Sequence, residues 1–343
     1  MVSPSDVGLP STLPEPPSDG SPVGDNRVRV LHIGGAARSG STILSRVVGG
    51  QPHFTTVGEA CLIWQFGVIE NRLCSCGKRF HDCPFWQNVA DCEPGLFTLS
   101  SVRQFVAYFS STVLLSRRLP CLWTSKGRDW IVDRMPAGQL DAISKLYRAI
   151  RAVSGATVIV DGSKFPAYGY ILGLVADLDV ATVQLVRDPR AVAFSWQRRD
   201  KRVLASRAGD VAMFQRRPTV SALDWVLQNV SVDVVGSLSN RRGRRLRYED
   251  FVAQPAQVTA ELVTMIGGGY VADKPSDGEP ADLSEVHIFG NPGRFRTGNV
   301  PIKLDDEWRT SMPLTSRLLV TAITSPFLGR YGYRLIVRRH ESG

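Results

Sequence analysis

The 343-residue chain lacks any uninterrupted apolar run of about 18 residues, the length that crosses a membrane as a helix. Its most apolar stretch, 168–186, contains Asp177 and Asp179. The first residues show neither a basic region followed by an apolar run nor an Arg-rich amphipathic pattern, so no secretion or transit signal can be recognised. We therefore expect no transmembrane segment and a cytoplasmic location, and leave peripheral membrane contact open.

Lysine is scarce: the chain has 7 lysines against 34 arginines, with a formal net charge of +9. Arginine has a planar guanidinium group that can donate paired hydrogen bonds to phosphate or sulfate oxygens. The excess is explained equally well by anion binding and by the codon bias of a GC-rich genome. Composition alone does not separate these explanations.

Residues 1–27 are predicted to form a disordered, Pro/Ser-rich tail. The first 26 residues contain six prolines, four acidic residues and no Lys or Arg, so they cannot bury enough apolar surface to offset their ordering entropy. Their charge of −4 leaves +13 on the remainder. We expect 28–343 to form one domain.

The remainder alternates short apolar runs with helical patterns, which is typical of an α/β fold with a central parallel sheet. Strands are predicted at 28–33, 54–57, 156–160, 181–186 and 244–248. Helices are predicted at 41–48, 137–153, 189–199 and 254–266.

A glycine-rich loop follows the first strand, with the sequence Gly35-Ala-Ala-Arg38-Ser39-Gly40-Ser41-Thr42. Its spacing is that of a P-loop, in which backbone N–H groups and a helix N-terminus bind an anion. Where nucleotide kinases need a Lys to reach the outer phosphates, this chain has Ser41, and it has a cation at Arg38 instead. The loop therefore favours a donor whose transferred group carries less charge than a γ-phosphate, such as a sulfuryl group, over Mg-ATP. A glycine-rich turn without a ligand is the alternative.

A second candidate anion site follows the fourth strand. Arg187 ends that strand, Pro189 suits a first helical turn, and Ser195 comes eight residues after Arg187. Taken alone, this pattern also fits a helix N-terminus with Asp188 near its cap.

Together these segments resemble sulfotransferases that use 3′-phosphoadenosine 5′-phosphosulfate (PAPS), most closely the bacterial, actinobacterial-type members related to carbohydrate and tyrosyl-protein sulfotransferases. The resemblance runs from about Val28 to the C-terminus and includes Arg247-Tyr-Glu-Asp250 and Phe295-Arg-Thr-Gly298. It implies a P-loop NTPase-like sulfotransferase fold and sulfuryl transfer from PAPS to a hydroxyl of a carbohydrate, glycolipid or small metabolite. It implies no metal requirement.

The resemblance also implies roles for individual residues. The 5′-phosphosulfate would bind residues 38–42 (Arg38, Ser39, Gly40, Ser41 and Thr42) and the 3′-phosphate Arg187 and Ser195. A lid near 283–304 would add Arg294, Arg296 and Gly298, although Thr297 replaces the commoner basic residue and leaves open which Arg reaches the phosphate. Arg247-Tyr-Glu-Asp250 is expected to support the core.

Transfer to a hydroxyl needs a base and a group that stabilises the leaving oxygen. Glu59 follows the second strand and Lys164 the third, which places both at the sheet edge where the glycine-rich loop lies. The resemblance implies Glu59 as the base and Lys164 as the cation, beside Arg38, on the sulfuryl group and leaving oxygen. His53 and, more weakly, His287 are alternative bases; His32, inside the first strand, is expected in the core.

A cysteine-rich insertion near 61–92 contains Cys74, Cys76, Cys83 and Cys92, with His81 among them. These are zinc-ligand types, but their spacing is tighter than in usual structural zinc sites. Reduced or disulfide-linked thiols are therefore the preferred interpretation. We expect the insertion to border the acceptor site.

Two other functions fit parts of the sequence. A Mg-ATP-dependent small-molecule kinase is disfavoured by Ser41. A basic, non-catalytic nucleic-acid-binding protein is disfavoured because clusters such as 241–247 lack interleaved aromatic residues. We expect no nucleic-acid partner; the sequence predicts neither the acceptor nor the oligomeric state.

Overall fold

A computed structural model describes residues 26–198, 202–206, 209–212, 215–238, 242–267 and 302–336. Five parallel strands form a sheet in the order β2-β3-β1-β4-β7, and two antiparallel strands, β5 and β6, form a separate hairpin. The strands are β1 (Val28–Gly34), β2 (Phe54–Gly58), β3 (Val158–Lys164), β4 (Leu178–Val186), β5 (Arg202–Ser206), β6 (Gly209–Ala212) and β7 (Gly243–Arg247).

Helices cover both faces of the five-stranded sheet. The helices of the described residues are α1 (Ser41–Gly49), α2 (Pro84–Cys92), α3 (Leu99–Tyr108), α4 (Ser125–Asp133), α5 (Gln139–Ser154), α6 (Pro166–Leu172), α7 (Pro189–Gln197), α8 (Pro218–Ser237), α9 (Tyr248–Ala253), α10 (Pro255–Gly267), α11 (Trp308–Ser311) and α12 (Leu314–Leu328). Among the residues described, no helix combines the length and apolarity needed to cross a membrane.

Strand β1 shows why the sheet is covered twice. Val28 and Val30 point into one hydrophobic cluster with α5 and α6, whereas Leu31 and Ile33 point into another with α1 and α10. A strand that buries apolar side chains on both faces is typical of a parallel sheet between two helical layers.

The predicted α/β fold with a central parallel sheet is confirmed, and all five predicted strands are present. The third strand differs most from its predicted bounds of 156–160, because β3 continues through Asp161-Gly-Ser-Lys164. It is buried over its whole length. Its polar end did not look like a strand in the sequence. The predicted tail at 1–27 lies outside the described residues except for its last two, and most of the lid, at 283–301, lies outside them entirely.

The register brings the carboxyl ends of neighbouring strands to one level. Gly34 at the end of β1 pairs with Lys164 of β3 on one side and with Gln184 of β4 on the other, and Gly58 of β2 pairs with Asp161. The chain leaves β1 toward β2 and leaves β4 toward β7, so a crevice opens between β1 and β4 at this edge. Such a switch point is where open α/β sheets bind ligands.

A buried carboxylate holds the ends of β2 and β3 together. Asp161 is fully buried and accepts hydrogen bonds from the Ser163 amide (2.8 Å), the Ala60 amide (3.4 Å) and the hydroxyl of Tyr147. Burial raises the pKa of Asp161, and the hydrogen bonds from Ser163 and Tyr147 oppose that rise. The tyrosine hydroxyl also lies 3.2 Å from that of Tyr168. This network fixes the backbone on either side of Glu59 and Lys164.

Replacing Tyr147 by Phe should lower the free energy of unfolding by about 1–3 kcal/mol, because the buried Asp161 carboxylate loses a donor. Urea denaturation would measure the change. Tyr170→Phe is the matched control and should change stability by less than about 0.5 kcal/mol, since the structure records no hydrogen bond of the Tyr170 hydroxyl within its described ranges. Equal stability of the two variants would contradict the assigned role of the network.

Candidate active site

The loop between β1 and α1 is built on left-handed backbone conformations. Gly35, Arg38 and Gly40 have φ values of 142°, 72° and 93°. A Cβ on Gly35 would lie 2.4 Å from the carbonyl oxygen of Leu185, so glycine permits the loop to approach β4. The Gly40 carbonyl accepts the first hydrogen bonds of α1, from Ile43 and Leu44.

The N-terminus of α1 faces this loop. Among the described residues no side chain caps it, and its first turn contains no acidic residue. Its first N–H groups and partial positive charge are therefore available to an anion. The Ser39 hydroxyl, by contrast, is buried and donates to the Ala36 carbonyl (2.6 Å), bracing the loop from within. Ser41 and Thr42 form the first turn of α1.

Residues from two distant segments meet at Arg38. Its Nε donates to the Ser195 hydroxyl on α7 (3.0 Å), and its guanidinium lies 5.8 Å from the ring centre of Trp196. Arg187, at the end of β4, donates to the Arg38 carbonyl (3.2 Å). The two candidate anion sites of the sequence are therefore in direct contact.

Arg187 is held in place on several sides. It donates to the Asp305 carbonyl (2.7 Å), pairs with the Asp305 carboxylate (3.2 Å) and lies 4.6 Å from the ring centre of Tyr248. Its own carbonyl accepts the indole N–H of Trp225 (2.9 Å).

The charges of this cluster do not balance. Burial, followed by the neighbouring charge of Arg187, lowers the pKa of Arg38 to about 10, while Asp305 acts in the opposite direction and Arg198 adds to the lowering. Two guanidinium groups thus share one carboxylate in a region with little solvent. A bound anion would offset the repulsion between these cations.

Glu59 and Lys164 form an ion pair at the same sheet edge. The Lys164 ammonium contacts Oε1 of Glu59, and the two side chains are only 11% and 13% exposed. The Lys164 carbonyl accepts the Gly35 amide (3.1 Å), which ties the pair to the start of the glycine-rich loop. Lys164 has a φ of 63°, a left-handed conformation that costs a non-glycine residue about 1 kcal/mol or more. Such strain is characteristic of functional sites.

The structure therefore brings together Glu59, Lys164, residues 38–42, Arg187 and Ser195 as one connected group. His53 does not join it. His53 precedes β2, at the amino end of the strand, and lies on the surface at the opposite edge of the sheet. His32 is buried beside Gly169, as expected of a core residue. Arg294, Arg296, Gly298 and His287 lie outside the described residues.

Several supporting contacts were not apparent from the sequence. Asp188 caps α7 through the Arg190 amide and also pairs with the buried Arg190 guanidinium, so this second arginine of the motif has a structural role. Glu249 accepts the Asp188 amide (3.2 Å) and the Tyr333 hydroxyl (2.8 Å), in line with the structural role expected for its segment. Asp305, one residue beyond the predicted lid, and Trp225 belong to none of the recognised motifs, and no sequence signal marks them.

No protein family model matches this chain, and no curated protein matches it. Solved structures similar to it include the sulfotransferase domain from the Synechococcus PCC 7002 olefin synthase, at 18% identity over 89% of this chain and 96% of that chain, with a TM-score of 0.44. The sulfotransferase domain from the curacin biosynthetic pathway has 18% identity over 89% and 98%, with a TM-score of 0.41. A sulfotransferase from Alicyclobacillus acidocaldarius has 14% identity over 88% and 93%, with a TM-score of 0.39. At this distance, function has to be inferred from the side chains of this chain.

Replacing Gly40 by Ala should destabilise the protein by about 1–3 kcal/mol, because the residue has a positive φ and its new Cβ would lie within 2.7 Å of the Tyr248 ring. The ring cannot easily retreat, since it packs on Arg187. Urea denaturation would measure the loss. Gly236→Ala on α8 is the control: a Cβ there meets no atom within 4 Å, and the change should be neutral or stabilising by up to about 1 kcal/mol.

Proposed function

We propose that this protein transfers a sulfuryl group from PAPS to a hydroxyl of an acceptor molecule. The observation that carries the proposal is the connected group at the carboxyl edge of the sheet. Within it, a P-loop-type backbone without the kinase lysine joins the Glu59–Lys164 ion pair to two closely spaced arginines. The donor carries negative charge at two separated positions, and the site offers cations for both.

The 5′-phosphosulfate would bind at residues 38–42. The first N–H groups of α1 would donate to its oxygens, and Arg38 would supply the positive charge. The position of Ser41, where phosphoryl-transfer enzymes need a lysine for the γ-phosphate, supports a sulfuryl rather than a Mg-ATP donor. We expect no metal requirement, since Arg38 and the first N–H groups of α1 would supply the positive charge at this end of the donor.

The 3′-phosphate would bind to Arg187 and Ser195, with Arg294, Arg296 and Gly298 completing its site. Arg187 is immobilised by Tyr248, Asp305 and the backbone of Arg38. Such a preorganised guanidinium can donate a charge-assisted hydrogen bond to a phosphate at a small cost in side-chain entropy. Its contact with Arg38 would couple the two ends of the donor site.

In the transfer step, Glu59 takes the proton of the acceptor hydroxyl as the hydroxyl oxygen attacks sulfur. The bond between sulfur and the bridging oxygen breaks in line with the attack, and the electron pair leaves with the 5′-phosphate. Lys164 and Arg38 stabilise the charge that develops on the bridging and sulfuryl oxygens. The ion pair between Glu59 and Lys164 would hold the base near the attacking acceptor oxygen and the cation near the bridging oxygen that leaves.

The acceptor is a carbohydrate, glycolipid or small metabolite with a free hydroxyl. The segment that follows Glu59 is the cysteine-rich insertion, whose Cys61 amide donates to the Ser163 hydroxyl oxygen (3.1 Å). That connection supports the prediction that the insertion borders the acceptor. The function can be tested by incubating sulfur-labelled PAPS with a panel of sugars, lipid-linked glycans, phenols and small alcohols, which also defines the acceptor class. Transfer of the label to an acceptor supports the proposal. Absence of the label from every acceptor contradicts it.

Arg38→Met should weaken binding of 3′-phosphoadenosine 5′-phosphate by at least about tenfold, the value of one charge-assisted hydrogen bond. It should leave the thermal midpoint of the ligand-free protein unchanged or higher, because the variant removes a repulsive, desolvated charge. Calorimetry and thermal denaturation would measure both effects. Arg148→Met, which removes an exposed arginine paired with Glu93, is the control and should bind normally.

Glu59→Gln should lower kcat for sulfuryl transfer by about 10²- to 10⁴-fold, because the acceptor hydroxyl loses its base. Binding of the bisphosphate product should change little. Steady-state kinetics with the acceptor from the panel would measure the effect, and Glu261→Gln is the control, a carboxylate on α10 that pairs with Arg244 outside the proposed site. Undiminished turnover in Glu59→Gln would eliminate Glu59 as the base without affecting the donor assignment.

A further inference from the structure

A tight hairpin holds two cysteines of the insertion together. The Cys74 amide donates to the Lys78 carbonyl (2.8 Å), the Gly77 amide donates to the Cys74 carbonyl (3.0 Å), and Leu73 pairs with Arg79 across the turn. Gly77 has a φ of 81°, which completes the turn after Cys76. Cys74 and Cys76 therefore project from a backbone fixed by hydrogen bonds.

The third cysteine joins them from a helix N-terminus. Cys83 is the residue before α2, with Pro84 in the first helical position. The sulfur atoms of Cys74, Cys76 and Cys83 all lie within 4.8 Å of one another, and those of Cys76 and Cys83 are 3.5 Å apart. A thiolate is favoured at a helix N-terminus, and thiolates are the form of cysteine that binds metals.

We propose that Cys74, Cys76 and Cys83 bind a zinc ion. With Zn–S bonds of about 2.3 Å, two thiolates on a tetrahedral zinc lie about 3.8 Å apart, close to the separations of this cluster. Cys76 is exposed, which leaves room for water as a fourth ligand. The sequence spacing of these cysteines is tighter than in usual structural zinc sites, but the hairpin and the helix together bring their sulfur atoms into one cluster.

The two other candidates from the sequence do not join this cluster. The Nε2 atom of His81 lies 3.1 Å from the Val68 carbonyl oxygen. Cys92 ends α2, about 13 Å along the helix axis from Cys83. No disulfide joins any of the six cysteines, all of which lie within the described residues. A disulfide would in any case use only two of the three clustered sulfurs.

A metal here would fasten the insertion to the main core. Phe80, inside the cysteine segment, stacks on Trp86 with ring centres 5.3 Å apart and packs against Gly67. The same hydrophobic cluster contains Cys74, Cys83, Val57 and Ala60, and the last two lie on either side of the Gly58-Glu59 pair. Metal binding to such a site contributes directly to the folding of its segment.

The full-length protein, purified without chelators under reducing conditions, should contain about one zinc per chain by plasma mass spectrometry. Replacement by Co²⁺ should give a thiolate-to-cobalt charge-transfer band. Cys76→Ser should weaken zinc affinity at least about tenfold in competition with a chromogenic chelator. It should fold normally because Cys76 is exposed. Cys92→Ser, also exposed and in the same segment, should bind zinc like the unaltered protein.

Three results would overturn the proposal. One is a protein that neither retains zinc nor binds added Zn²⁺. Another is equal zinc affinity in the Cys76→Ser and Cys92→Ser variants. The third is mass-spectrometric detection of a stoichiometric Cys76–Cys83 disulfide in the protein isolated under non-reducing conditions, which would assign the cluster to a redox crosslink. None of these measurements depends on the proposed transferase activity.

Discussion

The pairing of Gly34 with both Lys164 and Gln184 sets the geometry of the whole site, because it brings the carboxyl ends of three parallel strands within two residues of one level. The glycine-rich loop leaves β1 there, Lys164 terminates β3, and Arg187 follows β4 one residue after its end. A shift of one residue in either pairing would turn the side chains of the shifted strand to the opposite face. The buried Asp161 network and the apolar side chains on both faces of β1 hold this register.

The many arginines of the chain divide into two groups. Among the described residues, several surface arginines form ion pairs with acidic side chains and help to join elements, as Arg245 and Arg330 do with Asp233 and Arg244 does with Glu261. Arg38 differs, because burial, followed by the charges of neighbouring arginines, lowers its pKa. Position, rather than number, therefore distinguishes the arginine that we propose as part of an anion site from those that stabilise the fold.

The parts of the structure that could be predicted from the sequence are those with local signals. Apolar runs located all five strands of the parallel sheet, though not the β5–β6 hairpin. The glycines of 35–40 located the loop, because a left-handed backbone restricts the choice of residue. The left-handed conformation of Lys164, the packing of Tyr248 on Gly40 and the pairing of Arg187 with Asp305 depend on contacts between distant segments. Sequence spacing also grouped His81 and Cys92 with the other three cysteines. In the structure a hairpin and the start of a helix determine which sulfur atoms meet, and these are the sulfurs of Cys74, Cys76 and Cys83.

The central claim is that Arg187 and Ser195 form a 3′-phosphate site continuous with the glycine-rich loop. Calorimetric titration of the full-length protein with 3′-phosphoadenosine 5′-phosphate and with adenosine 5′-phosphate tests it most directly. The account predicts that the bisphosphate binds at least about tenfold more tightly, because only it reaches Arg187 with a charge-assisted hydrogen bond. Equal affinities, or no binding of the bisphosphate, would contradict the account.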